Sequence, residues 1–255
     1  MKYRVQSPRA FRIGFIVAFG LFTAVLRAED TPSNDPPADL VRRVAARETE
    51  EEKARNDYTW RQTVIVEELD SRGASTGRYR ETRDILFAAD GKRTEQFVGK
   101  PSNTMTHLIL TDEDFHDLRE IQPLLLTTDR LFMYESQYKG DETVDGVDCW
   151  ILQIRPRQIL AGQRLFEGMI WVDKQGNAIV KTEGQAVPQE RGGKHENLFP
   201  HFRTTRRKVD GYWFPESTQG DDTLWFSGGP QRERITVRYE NYKRFSSDST
   251  IHFER

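Results

Sequence analysis

Arg232–Tyr242 reads R-E-R-I-T-V-R-Y-E-N-Y, and its period of two decides the fold class. Glu233, Ile235, Val237, Tyr239 and Asn241 fall on one side, and Arg232, Arg234, Thr236, Arg238, Glu240 and Tyr242 on the other. A strand with one wet and one dry face belongs to an antiparallel sheet. The same period governs Tyr58–Asp70 (Y-T-W-R-Q-T-V-I-V-E-E-L-D), where Tyr58, Trp60, Gln62, Val64 and Val66 share a face. In Gly77–Asp90, Tyr79, Ile85 and Phe87 share one face, and Arg78, Arg80, Thr82 and Asp84 take the other. Arg164–Lys174 is apolar on both faces, with Leu165, Met169 and Trp171 against Phe166, Ile170 and Val172. Such a strand is central and covered on both sides.

Between these runs stand Asp90-Gly91, Asp145-Gly146, Gly176-Asn177 and Asp210-Gly211. Pairs of this kind tolerate the positive φ of tight hairpins. Their repetition predicts a meandering antiparallel sheet. Two segments break the pattern. Leu40, Val41, Val44 and Ala45 recur at helical spacing, with Asn34 or Asp35 as cap and Pro36 and Pro37 in the first turn. The helix is expected over about 37–56, lightly packed, because Glu48–Arg55 is almost all charge. Thr111 followed by Asp114 resembles a capping box and starts a short helix with Phe115 and Leu118 on its apolar side. Pro123 ends or kinks it, and Leu124, Leu125 and Leu126 follow. The stretches 186–198 and 221–231 read as exposed, elaborated loops.

The chain has 255 residues and a net charge of −2. That balance excludes a nucleic-acid binder acting through blanket electrostatics. The charge is unevenly spread. Residues 1–28 carry Lys2, Arg4, Arg9, Arg12 and Arg27 and no acid, with an apolar run from Ile13 to Leu26. This is the pattern of a secretory signal, expected to end at Ala28. The second reading is an inner-membrane anchor formed by residues 13–26. Without this segment, 33 Lys and Arg face 40 Asp and Glu, a net charge of −7. The expected organisation is a signal over 1–28, a linker over 29–36 and one domain over 37–255, in the periplasm.

One cysteine rules out an internal disulfide and any multi-cysteine metal site. Nucleophile elbows, phosphate-cradling glycine loops and paired-histidine metal motifs are all missing from the sequence. Asp112, Asp114 and His116 could meet a metal, but read more simply as an acidic helix start. Cys149, beside Trp150, reads as a small buried hydrophobe. Asp141, Glu142, Asp145 and Asp148 read as a solvated loop. Arg203, Arg206, Arg207 and Lys208 read as a solvated strand face. No catalytic residue, metal or cofactor is expected.

Six motifs add to this reading: G-M-I-W-V-D-K (Gly168–Lys174), A-I-V-K-T-E-G (Ala178–Gly184), N-L-F-P-H-F (Asn197–Phe202), V-D-G-Y-W-F-P (Val209–Pro215), D-D-T-L-W-F (Asp221–Phe226) and Y-E-N-Y-K-R-F (Tyr239–Phe245). The series resembles the outer-membrane lipoprotein-sorting, LolA/LolB-like superfamily. The resemblance spans about residues 37–245. It implies a mainly β fold: a curved antiparallel sheet forming an incomplete barrel, with an N-terminal helix and a short mid-chain helix covering the open side. It implies a non-enzymatic carrier or binding protein that takes lipid or lipoprotein acyl chains into an apolar cavity. A membrane-bound donor or acceptor protein would be its partner.

The cavity wall expected on this basis is Trp60, Val64, Val66, Tyr79, Ile85, Phe87, Trp150, Leu152, Leu165, Met169, Trp171, Ile235, Val237 and Tyr239. Leu124, Leu125 and Leu126 would form a lid. An acyl chain gains about 0.8 kcal/mol per buried CH₂, so such a site needs volume and apolar walls and little chemistry. The alternative is a cell-envelope sensor or interaction module, with these residues filling a closed core and a protein partner bound outside. The weakest reading is a hydrolase at Asp112, Asp114 and His116 or at Cys149.

Overall fold

The computed structural model describes residues 35–87, 92–192 and 196–244. The expected signal, the Asp90-Gly91 turn and most of the expected linker lie outside the described residues. Among the described residues no helix is long and apolar enough to cross a membrane.

Helix α1 (Leu40–Arg55) precedes the hairpin of β1 (Tyr58–Leu69) and β2 (Ser75–Phe87), with β3 (Arg93–Phe97) and the two-residue β4 (Ser102–Asn103) both paired to β2. The mid-chain segment carries α2 (Asp112–His116), a π-helical turn over Asp117–Ile121 and a 3₁₀ turn over Leu131–Met133. A long meander follows: β5 (Tyr134–Val144), β6 (Val147–Pro156), β7 (Leu165–Asp173), β8 (Ile179–Val187), β9 (Phe202–Val209), β10 (Tyr212–Phe226) and β11 (Gly229–Arg244). All eleven strands form one antiparallel sheet in the order β3-β2-β1-β11-β10-β9-β8-β7-β6-β5. The path does not close, so the fold is an open half-barrel whose first strand pairs with its last.

The turns follow the chemistry of their residues. Asp145 and Gly146 have φ of 49° and 82°, and Asp210 and Gly211 have 50° and 89°. Asp and Gly adopt this left-handed region at low steric cost. The β7–β8 connection uses Asn177 at φ 55°. Central β7 is covered on both sides. Phe166, Ile170 and Val172 enter the main core, while Met169 and Trp171 join a second cluster on the opposite face with Cys149 and Val180. The main core is closed by Leu40 and Val44 of α1 and by Leu118, Ile121, Leu124 and Leu126 of the mid-chain segment.

Several sequence expectations are corrected. α1 starts later than expected, with Asp39 at its N-cap. Its charged half has a buried side, where Glu48 and Glu51 are 0% and 1% exposed, while Glu50 and Lys53 face solvent. Arg206 leaves the solvated face assigned to it and is buried against Glu48. Tyr242 turns to the dry side, because Thr59 and Arg61 of β1 face Lys243 and Glu240, leaving an extra residue in β11. Asn241 takes φ 58° at that point, and a bulge of this kind reverses the side-chain phase. Residues 221–231 are the paired tip of the β10–β11 hairpin, and the stretch 186–198 begins inside β8 and ends at buried Leu198. Asp141 and Glu142 belong to β5, where Glu142 accepts the Trp171 indole N–H at 2.6 Å.

Candidate functional site

The cover over the dry face is held by two buried ion pairs. Arg206 of β9 meets both oxygens of Glu48 at 2.9 and 3.1 Å and donates to the carbonyls of Ile179 and Leu124. One guanidinium thus ties α1, β8 and the mid-chain segment together, and its planar fork suits that role. Glu51 adds an ion pair to Arg47 at 2.7 Å and accepts the Trp213 backbone N–H at 2.8 Å. At the other end of the cover, Arg164 pairs with Asp117 and donates to the Pro188 carbonyl. Burial raises the Asp117 carboxyl above its usual range, and Arg164 works against that shift.

Where α1 ends, the cover leaves an open pocket of about 710 Å³, including the solvent at its mouth. Its aromatic wall comes from β1, β2 and β11. Trp60 lies 5.7 Å from Phe87 and 5.8 Å from Tyr242 between ring centroids. Tyr242 reaches this wall only because of the bulge at Asn241. Pro123 and Pro215 add apolar surface, and Arg55, Arg93 and Arg119 bring three guanidinium groups. Arg55 lies over the Trp60 ring at 5.9 Å. Burial lowers the Arg55 pKa; Tyr242 opposes the shift, and Arg206 and Arg93 add to it.

The residues expected to wall a cavity separate into groups. Trp60, Phe87 and Tyr239 line the pocket. Val64, Val66, Ile85, Leu124, Leu126, Leu152, Leu165, Ile235 and Val237 are packed together in the main core, with Tyr79 and Trp150 half-buried against it. Leu125 is buried as well. Met169 and Trp171 lie across the sheet in the second cluster. Sequence reasoning missed Tyr242, Arg55, Arg93 and Arg119. The bulge hid the first, and no local pattern marks the arginines.

The other sequence candidates have structural roles. Asp114 closes a capping box: its carboxylate accepts the Thr111 backbone N–H at 2.7 Å, and its own backbone N–H donates to Thr111 Oγ1 at 3.2 Å. Cys149 is fully buried, and burial, with Asp173 nearby, pushes its thiol up to about 11.

No family model matches the chain, and no curated protein matches it. Among solved structures, the chain is similar to a DUF1329 family protein from Desulfovibrio piger at 15% identity, covering 85% of this chain and 96% of that one, with a TM-score of 0.44. It is similar to a candidate outer membrane lipoprotein-sorting protein domain from Vibrio parahaemolyticus at 13% identity, covering 79% and 92%, with a TM-score of 0.37. A LolA superfamily protein from Nitrosomonas europaea is 14% identical, with 79% and 95% covered and a TM-score of 0.34.

Proposed function

We propose that this chain is an exported, non-catalytic binding protein of the cell envelope that holds a lipid-like apolar group in the pocket beside the end of α1. The observation that carries the reading is the aromatic wall of Trp60, Phe87 and Tyr242, with Trp60 tilted to Phe87 and stacked on Tyr242, which borders the open pocket. Aromatic rings left beside solvent gain from any apolar group laid on them. The ligand occupies this pocket, and the packed core supports the pocket from below. Transfer of lipoprotein acyl chains between membrane-bound donors and acceptors is the narrower form of this function, exercised in the periplasm.

The test is a titration of the full chain with a neutral fluorescent acyl probe, together with native mass spectrometry of protein purified from membranes. Saturable binding that weakens at least about tenfold in Trp60→Ala is expected, from the aromatic contact area lost. Absence of both probe binding and co-purifying lipid overturns the reading.

A second reading has its own observation. β5 ends the sheet path, and most of its side chains are exposed. A strand added beside β5 would extend the sheet, as a partner-binding module requires. Site-specific crosslinking from β5 in cells distinguishes this reading by trapping one protein.

A further inference from the structure

Trp60 is 7% exposed, yet its indole N–H has no hydrogen-bond partner. The Nε groups of Arg55 and Arg93 also lack partners. A buried polar group left unpaired costs about 1–3 kcal/mol, so these three donors leave this part of the fold short of acceptors.

The charges point the same way. Arg93 is paired, at 2.9 Å to Glu95 and 3.5 Å to Glu120. Among the described residues, neither Arg55 nor Arg119 has a carboxylate within ion-pair distance. The pocket also contains Glu52 and Glu120, and with Glu95 on Arg93 its three guanidinium groups stand beside three carboxylates, none of them within ion-pair distance of Arg55 or Arg119. Half-buried Arg55 faces the repulsion of Arg206 and Arg93 with no ion pair of its own. An indole N–H and guanidinium N–H groups can only donate, and a phenol can donate too. The complementary group is therefore an acceptor-only anion of small size, and the adjacent aromatic wall requires an apolar continuation.

We propose that the pocket binds a single-chain anionic amphiphile, its carboxylate or phosphate head between Arg55 and Arg119 and its tail along Trp60, Phe87 and Tyr242. This deepens the proposed binding function and rests on it. The head pairs with the guanidinium groups of Arg55 and Arg119, the two arginines of the pocket with no carboxylate of their own. A guanidinium paired with a carboxylate or phosphate forms a charge-assisted, geometrically specific contact. A cationic head meets repulsion at the same place, and a neutral one leaves Arg55 unpaired.

The test is calorimetric titration of the full chain with four ten-carbon probes: decanoate, decyl phosphate, decanol and decyltrimethylammonium. Decanoate or decyl phosphate is expected to bind about tenfold or more tightly than decanol, with the cation weakest. The stronger of the two anions identifies the head group. Raising salt should weaken the anions and leave decanol unchanged, a readout that needs no variant. Arg55→Gln and Arg119→Gln, each checked for an unchanged melting profile, should remove the anion preference and retain decanol binding. Equal binding of decanol and decanoate overturns the anionic site while leaving the lipid-binding function standing. Failure of all four probes overturns both.

Discussion

Glu68 and Glu233 face each other across β1 and β11 on the dry side, and the fold treats the two carboxyls differently. Both are buried, at 3% and 4% exposure. Burial opposes ionisation of Glu68, but backbone N–H groups of Leu108, Thr106 and His107 donate to it at 2.6, 2.9 and 2.5 Å and hold its pKa below the usual range. Glu233 has no such donors. Burial, with Asp114 and Asp222 nearby, pushes it up to about 8. A carboxyl raised in the folded state keeps its proton there after the unfolded chain has lost it. Its contribution is therefore most favourable below the unfolded value near 4.5, and stability falls as pH rises from there towards 8. Glu233→Gln should remove this decline. The melting temperature of the variant should exceed that of the parent at pH 8 to 9 and match it near pH 5. Identical pH profiles would show that Glu233 is ionised in the fold. Neither carboxyl was legible in the sequence, where alternation placed Glu233 correctly on the dry face but could not name its neighbours. Glu48 was hidden for the same reason, since its partner Arg206 lies 158 positions away.

At the scale of elements, legibility followed the range of the interaction that decides each one. Strands with clean alternation and the Asp145-Gly146 and Asp210-Gly211 turns are set by neighbours in the chain, and these were read correctly. α1 was found too, but its charged half was taken for a wet surface, because only tertiary contacts distinguish a buried Glu from an exposed one. The bulge in β11 was invisible for a related reason: the alternation through Tyr239 continues in the sequence but is broken in space. Asn241 makes that break affordable in steric terms, since Asn enters the left-handed region more readily than branched residues. Asn241→Gly should leave stability nearly unchanged. Asn241→Val should cost about 1–2 kcal/mol, seen as a lower urea midpoint at unchanged slope. If Val forces the strand back into phase, Tyr242 leaves the aromatic wall and probe binding falls as well. A variant with parental stability and binding would mean that the bulge does not depend on this residue.

At the scale of the molecule, the turn signals implied a meander but did not say which strand β1 would meet; only the family resemblance implied a wrapped, incomplete barrel. The observed seam joins β1 to β11, so the N-terminal hairpin and the long C-terminal meander become one sheet through a pairing between the chain's first and last strands. The cover reinforces this seam. Val44 of α1 and Leu118 and Leu126 of the mid-chain segment share a core with Val64 and Val66 of β1, Ile170 of β7 and Val237 of β11. Removing either half of the sheet would therefore expose the cover that both halves bury. Elements that share one apolar core open together, and elements joined only by a ladder open separately. Native-state hydrogen exchange tests this directly. The most protected amides of β1 and β7, on opposite parts of the sheet, should exchange through openings of the same free energy and the same denaturant dependence. An independent, lower-energy opening of β1–β3 would show that the N-terminal hairpin is an attachment. The pocket bordered by Trp60 and Phe87 would then open and close with that hairpin, and ligand binding should selectively raise the protection of β1–β3.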